Sequence, residues 1–325
     1  MSRDTRRTDD TIHDAELSRR SYLAVGGGAL AAFFEVFGDD WVGRVEAAED
    51  EEDAAENTTD VEPEGAENET TEEDEGEPVS EEPADADLVV PFDGSGYADS
   101  FTETYRTDSN AIVDDGDASG GSALRVTLQQ GSHYGTDMRY RFADEQGSEP
   151  TAIRVSYDVL VEEGFEATGD GGKLPGPAGT YDSAGWGGRP ATGSDGWSAR
   201  MSFYPTGDAS APIDLSYYTY HADMSGQYGD WMAWDEGGST ARLQAGTWHR
   251  IEQYVELNTP GQNDGVLRGW VDGDLAFERT DLRFRDTEDI AVEDYWFNVY
   301  HGGGETAPSD SSIRFDDLRI TVESE

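Results

Sequence analysis

From Leu88 onward, apolar and polar residues alternate with a period of two. Met138, Tyr140 and Phe142; Ile153, Val155 and Tyr157; Ile251, Tyr254 and Val255; Val266 to Val271; Tyr295 to Tyr300; and Ile313 to Val322 each read as a half-buried strand. Turn-forming residues separate these runs, as in Asn263-Asp264-Gly265 and Val271-Asp272-Gly273-Asp274. No segment carries a long amphipathic helical pattern, and no internal repeat is visible. Many strands punctuated by turns predict an all-β domain over residues 88–325, a two-sheet antiparallel β-sandwich or jelly roll.

The pattern is absent upstream. Residues 48–87 are almost wholly Glu, Asp, Ala, Thr, Pro and Gly. Such a segment buries too little apolar surface to offset its ordering entropy, which predicts a disordered acidic linker. It holds two short glycosylation sequons, Asn57-Thr58-Thr59 and Asn68-Glu69-Thr70. Residues 1–47 read as an export signal. Arg19-Arg20 precede Ser21-Tyr22-Leu23 and an apolar run from Ala24 to Phe34, a twin-arginine pattern, and Val45-Glu46-Ala47 is a candidate cleavage site. The run is shorter than the ~20 residues of a membrane span, so no stable span is expected once the signal is removed. The expected location is extracellular or at the cell surface.

Charge narrows the partners. The formal net charge is -49, from 71 Asp and Glu against 22 Lys and Arg. Self-repulsion of that size is screened at ~1 M salt, where the Debye length is about 3 Å, so the composition predicts an extreme halophile as source. No basic stripe suits nucleic acid. The chain has 0 cysteines, which excludes disulfides, thiolate metal sites and a cysteine nucleophile. No cofactor is expected. Asp114, Asp115 and Asp117 form an acidic turn whose oxygens suit a structural calcium ion, although a solvated turn explains them as well.

Lys173 is the single lysine among these basic residues, and it sits in Gly171-Gly172-Lys173-Leu174-Pro175-Gly176. An ammonium is a compact charge whose pKa shifts readily, unlike a guanidinium, so its retention there points to chemistry. Gly185-Trp186-Gly187-Gly188-Arg189 is a glycine-rich loop with an aromatic ring and a cation. Strand periodicity places Ser198 with Arg200 on one face and Tyr218 with Tyr220 on one face. Cations and phenols on adjacent strands of a concave sheet make a pocket for an anionic sugar.

Further on come Trp248-His249-Arg250-Ile251, Leu257-Asn258-Thr259-Pro260-Gly261 and Trp270-Val271-Asp272-Gly273. In this order the set resembles the polysaccharide lyases of family fourteen, alginate and glucuronan lyases with a β-jelly-roll fold, here in a protein of the kind haloarchaea export. The resemblance covers most of residues 88–325. It implies β-elimination on an acidic polysaccharide by a monomer. The positions matching the family's catalytic residues are Lys173, Ser198, Arg200, Tyr218 and Tyr220. His133, Tyr134, Trp186, Arg189 and His301 are candidate substrate contacts, with His301 beside the Gly302-Gly303-Gly304 run at the rim. The segment Tyr228 to Glu236 is a candidate subsite variation.

Removing the C5 proton of a uronate gathers negative charge on the adjoining carboxylate, a task for Lys173 and Arg200 as an electrostatic clamp. Tyr218 or Tyr220, its pKa lowered by nearby cations, would take the proton and the other phenol would protonate the leaving oxygen. Other readings of the same residues exist. The tyrosines suit a cross-strand aromatic pair, and His221 and His249 read as structural. Trp186, Trp197, Trp231 and Trp234 divide between sugar stacking and packing. Competing functions are a non-catalytic carbohydrate-binding sandwich, a concanavalin-like glycoside hydrolase, which needs two flanking carboxylates, and a surface structural protein.

Overall fold

The computed structural model describes residues 86–323. In chain order the strands are β1 (Leu88–Val90), β2 (Glu103–Arg106), β3 (Asn110–Asp114), β4 (Ser122–Leu128), β5 (Tyr134–Arg141), β6 (Ala152–Val161), β7 (Gly172–Lys173), β8 (Gly176–Gly179) and β9 (Trp197–Pro205). They continue with β10 (Ile213–Tyr220), β11 (Asp230–Ala233), β12 (Arg242–Leu243), β13 (Trp248–Glu256), β14 (Gly265–Val271), β15 (Asp274–Leu282), β16 (Asp294–His301) and β17 (Ser311–Val322). A short helix, α1 (Phe142–Gln146), follows β5. The export and most of the linker readings lie outside the described residues.

The expected runs all became strands, with one local difference. The alternation at Met138, Tyr140 and Phe142 continues into the core, but the strand stops at Arg141 and Phe142 opens α1. Phe142 stays fully buried with its ring edge-on to Tyr140, so one burial pattern serves both elements. The Asp272-Gly273 turn joins β14 to β15 with both residues at positive φ, 55° and 87°, the geometry of a two-residue hairpin.

Two antiparallel sheets result. One runs β15-β14-β13-β6-β17-β4-β3, with β1 also on β17; the other runs β11-β10-β9-β7-β16-β5-β2, with β12 on β10 and β8 bridging β9 and β16. The core lies between them. Val155, Tyr157 and Val159 on β6, Ile251 and Val255 on β13, and Ile313 and Phe315 on β17 face Trp197, Ala199, Met201 and Phe203 on β9 and Tyr295, Phe297 and Val299 on β16. Phe297 meets Phe315 at 5.0 Å between ring centres. The Tyr157 hydroxyl donates to the Met201 sulfur at 3.1 Å, and Gln253 Nε2 donates to the Pro175 carbonyl at 2.9 Å. These two buried polar groups thus find partners across the sandwich.

The opposite face of the second sheet receives every alternate residue: Ser198, Arg200 and Ser202 on β9, Ser216, Tyr218 and Tyr220 on β10, and Trp296, Asn298 and Tyr300 on β16. Most of these are buried as well, so this polar face forms an enclosed cleft. Gly176 makes the crowding there visible. A Cβ at Gly176 would stand 2.6 Å from both the Ala199 carbonyl oxygen and the Arg200 Cα. Both are backbone atoms and cannot yield without moving β9. Gly176→Ala is expected to cost about 1–3 kcal/mol, the range for overpacking, and to lower activity by displacing Arg200. Thermal unfolding and turnover of that variant measure both effects.

Candidate active site

Register assembles the site. Tyr218 lies opposite Arg200, and Tyr220 opposite Ser198. Lys173 lies between Ser202 on one side and Tyr300 on the other, and Tyr300 pairs with Tyr134. One row across the sheet therefore reads Ser216, Ser202, Lys173, Tyr300, Tyr134; the next reads Trp231, Tyr218, Arg200, Gly176, Trp296, Arg139.

Lys173 is buried, and its Nζ sits 4.0 Å from the centre of the Tyr218 ring, a cation–π geometry. Burial, reinforced by the Arg200 charge, pulls its pKa down to about 7. Among the described residues no carboxylate lies at ion-pair distance to reverse that shift. Near neutrality the side chain is therefore poised between ammonium and free amine.

Arg200 is buried and, among the described residues, also has no carboxylate at ion-pair distance, although its charge acts on Asp137. Its Nη1 donates to the Tyr300 hydroxyl at 3.3 Å and, with the Asn298 amide turned to suit its neighbours, to Asn298 Oδ1 at 3.2 Å. Its guanidinium stacks 4.3 Å from the Trp296 ring. Arg139 stacks on Trp296 as well, at 3.9 Å. Trp296 Nε1 donates to Asp137 at 2.7 Å, which holds the ring in place. Arg139 is itself paired with the fully buried Asp294 at 2.8 Å. Burial drives Asp294 up to about 7 against the pull of Arg139, and burial likewise raises Asp137.

Tyr218 and Tyr220 meet edge-on at 5.8 Å. Burial pushes both phenols above the usual range, Tyr218 well above it. This corrects the expectation that cations lower them: Arg200 does pull down, but desolvation outweighs it. Tyr220 differs from its neighbour in one respect. Its oxygen accepts the Gly188 amide at 3.2 Å, and the Gly229 amide also stabilises its ionised form. Gly188 adopts a φ of 76°, which lets the glycine-rich loop turn its amide inward.

The remaining candidates divide. Ser198 faces the cleft, but its hydroxyl donates to the Gly185 carbonyl at 2.6 Å and anchors that same loop. Arg189 lies exposed over Trp186 at 4.1 Å, at the edge of the cleft beside Tyr220. Tyr134 packs on Tyr300 at 5.5 Å, and His133 contacts Tyr134. His301, expected at the rim, points the other way. It is 1 % exposed, packed against Phe165 and Phe203, with Thr168 at 3.4 Å from its Nδ1. The strand alternation that sends Tyr300 into the cleft sends His301 into the core. His221 and His249 bond to Asp230 and Asp272. Trp197 and Trp234 are core residues, whereas Trp231 is 52 % exposed and lies opposite Tyr218.

Among the described residues no group of three or more His, Asp or Glu converges as a metal site. In the acidic turn, the Asp115 oxygens accept the Asp117 amide and Arg314. The alternation predicts a strand over Tyr295 to Tyr300 but does not by itself say which face it offers. Trp296, Asn298 and Tyr300 were therefore missed, although their alternation with Tyr295, Phe297 and Val299 carried the signal.

The family profile described as polysaccharide lyase 14 matches residues 117–318. The fold resembles that of a marine alginate lyase from Aplysia kurodai, 21% identical, with 74% of this chain and 100% of that one covered at a TM-score of 0.57. It also resembles an alginate lyase from Chlorella virus, 16% identical, with 74% and 100% covered at a TM-score of 0.60. No curated protein sequence matches the chain.

Proposed function

Because this chain belongs to the polysaccharide lyase 14 family, we propose that it cleaves a uronic-acid polysaccharide by β-elimination, with Lys173 as the base. The observation that carries this reading is a buried lysine, free of carboxylates, beside an equally unpaired arginine. The substrate carboxylate binds Arg200, which offsets the negative charge that grows there as the C5 proton leaves. The Lys173 amine takes that proton. The electron pair left on C5 forms the C4=C5 double bond, and the bond from C4 to the glycosidic oxygen breaks. Tyr220 donates a proton to the departing oxygen, its phenolate being eased by the Gly188 amide. The roles first expected are thereby redistributed: burial favours a neutral amine and a protonated phenol, so the lysine suits the base and the phenol the acid.

The lyases of similar fold are named for alginate, which makes alginate the first polymer to try. The surplus of acid supports work at molar salt, and Arg19-Arg20 before an apolar run support export by the twin-arginine route. The decisive measurement follows ultraviolet absorbance of the unsaturated uronide while alginate, glucuronan and pectate are each incubated with the protein at high salt. Absorbance growth on at least one polymer is expected. Binding without any unsaturated product would replace this reading with a carbohydrate-binding one.

A further inference from the structure

In a chain with 71 carboxylates, an arginine without an acidic partner is informative. Among the described residues, Arg125, Arg139, Arg141, Arg154, Arg242, Arg250, Arg268, Arg279, Arg283, Arg314 and Arg319 each pair with Asp or Glu. Arg285 is buried and spends its donors on the Asn258 and Ile290 carbonyls. Four cations remain without a carboxylate at ion-pair distance: Arg106, Lys173, Arg189 and Arg200. Each lies against an aromatic ring instead, at 3.9, 4.0, 4.1 and 4.3 Å from Tyr134, Tyr218, Trp186 and Trp296. All four belong to the cleft face of one sheet or to the loop that Tyr220 and Ser198 hold against it.

Arg106 is the outlier. It stands on β2, the far edge of the sheet, opposite Asp137. Four strand spacings separate β2 from β9, and contacts of 6.0, 5.5 and 3.9 Å lead from Arg200 through Tyr300 and Tyr134 to Arg106, which therefore stands at the opposite end of the aromatic row from Arg200. The ground between them is paved: Tyr300 and Tyr134 stack in sequence from Lys173 outward, and Arg106 lies on the last ring. Its side chain is exposed, so the charge is available to a ligand.

We infer that Arg106, laid on Tyr134, is an outlying subsite that takes the carboxylate of a uronate unit several sugars from the scissile bond. This rests on the polyuronate reading above. It makes the cleft a track for a polymer, with a cation outside any ion pair at its outer end although Asp137 lies opposite in register. A guanidinium pinned flat on a ring has less freedom to lose on meeting a carboxylate, and its planar fork suits that partner.

The test uses the full chain carrying Lys173→Ala, so that ligands survive, with and without Arg106→Gln. Affinity for alginate and glucuronan oligosaccharides of increasing length is measured by calorimetry at one fixed salt concentration. Arg106→Gln is expected to weaken binding about tenfold, the worth of one charge-assisted hydrogen bond, only above the length that spans β9 to β2. Thermal unfolding of the exposed variant should be unchanged. An equal loss at every length, no loss at any length, or no oligosaccharide binding by the parent overturns the subsite. Length-dependent binding with no unsaturated product from the wild type keeps the subsite and sinks the lyase reading alone.

Discussion

Lys173→Ala is expected to lower kcat by roughly 10²–10⁴-fold, the range for a lost general base, with a smaller change in KM. Lys173→Arg should fail to the same degree, because a guanidinium stays protonated and cannot accept the C5 proton. The pH profile separates a base from a mere charge clamp. With its pKa near 7, the fraction of free amine grows as pH rises through that value. The wild-type rate should therefore climb along an acid limb with an apparent pKa near 7, and residual activity in Lys173→Ala should lack that limb. A clamp that needed the ammonium would show the opposite slope, with activity falling as pH rises through 7.

The same burial has a stability consequence of definite sign. A lysine whose folded pKa lies below its unfolded value disfavours folding while the proton must be carried inside. The penalty is complete below about pH 7, relaxes as pH rises, and is gone above the ordinary lysine pKa of about 10.4. Lys173→Met keeps the length of the side chain and removes the charge. Its Tm should exceed that of the wild type by roughly 5–10 °C at pH 6 and by much less at pH 10, for a penalty of a few kcal/mol. A variant more stable and inactive is the pattern expected where function has been built on a strained, desolvated group. An unchanged Tm at pH 6 would mean that water reaches Lys173.

Tyr220→Phe carries the second large effect, again roughly 10²–10⁴-fold in kcat, the cost of a lost general acid. Tyr218→Phe should lose far less. The distinction comes from what surrounds each oxygen. Amides of Gly188 and Gly229 favour the Tyr220 phenolate, which eases release of its proton to the leaving sugar oxygen. Among the described residues Tyr218 has no such donors, and burial beside other phenols holds its proton fast. Its contribution is the ring face beneath Lys173, which phenylalanine retains. Single-turnover rates for both variants on the preferred polymer decide the matter. Equal losses would make the phenols interchangeable and remove the basis for naming Tyr220 as the acid.

Much of this arrangement is written locally. A period of two places Arg200 with Ser198 and Tyr218 with Tyr220 whatever the rest of the chain does, because strand geometry alone sends alternate residues to one face. The lone lysine in a glycine-rich loop is visible as composition. The strand inventory from Leu88 to Val322, and hence the all-β class, follows from the same alternation. Alternation does not say which face meets the core, and that is why His301 was expected at the rim and Trp296, Asn298 and Tyr300 were overlooked.

What tertiary structure alone decided is the chemistry of those residues. Lys173 becomes a candidate base only because β9 and β16 close around it and exclude water, and these strands lie far from it in sequence. The same enclosure raises Tyr218 and Tyr220, which favours protonated phenols and underlies the proposal that the base role passes to Lys173 while a phenol keeps the acid role. Trp296 acquires its two guanidiniums, and Arg106 its tyrosine, through strand order and register. Periodicity is a property of each strand by itself, whereas desolvation and cross-strand contact exist only after the sheet has formed.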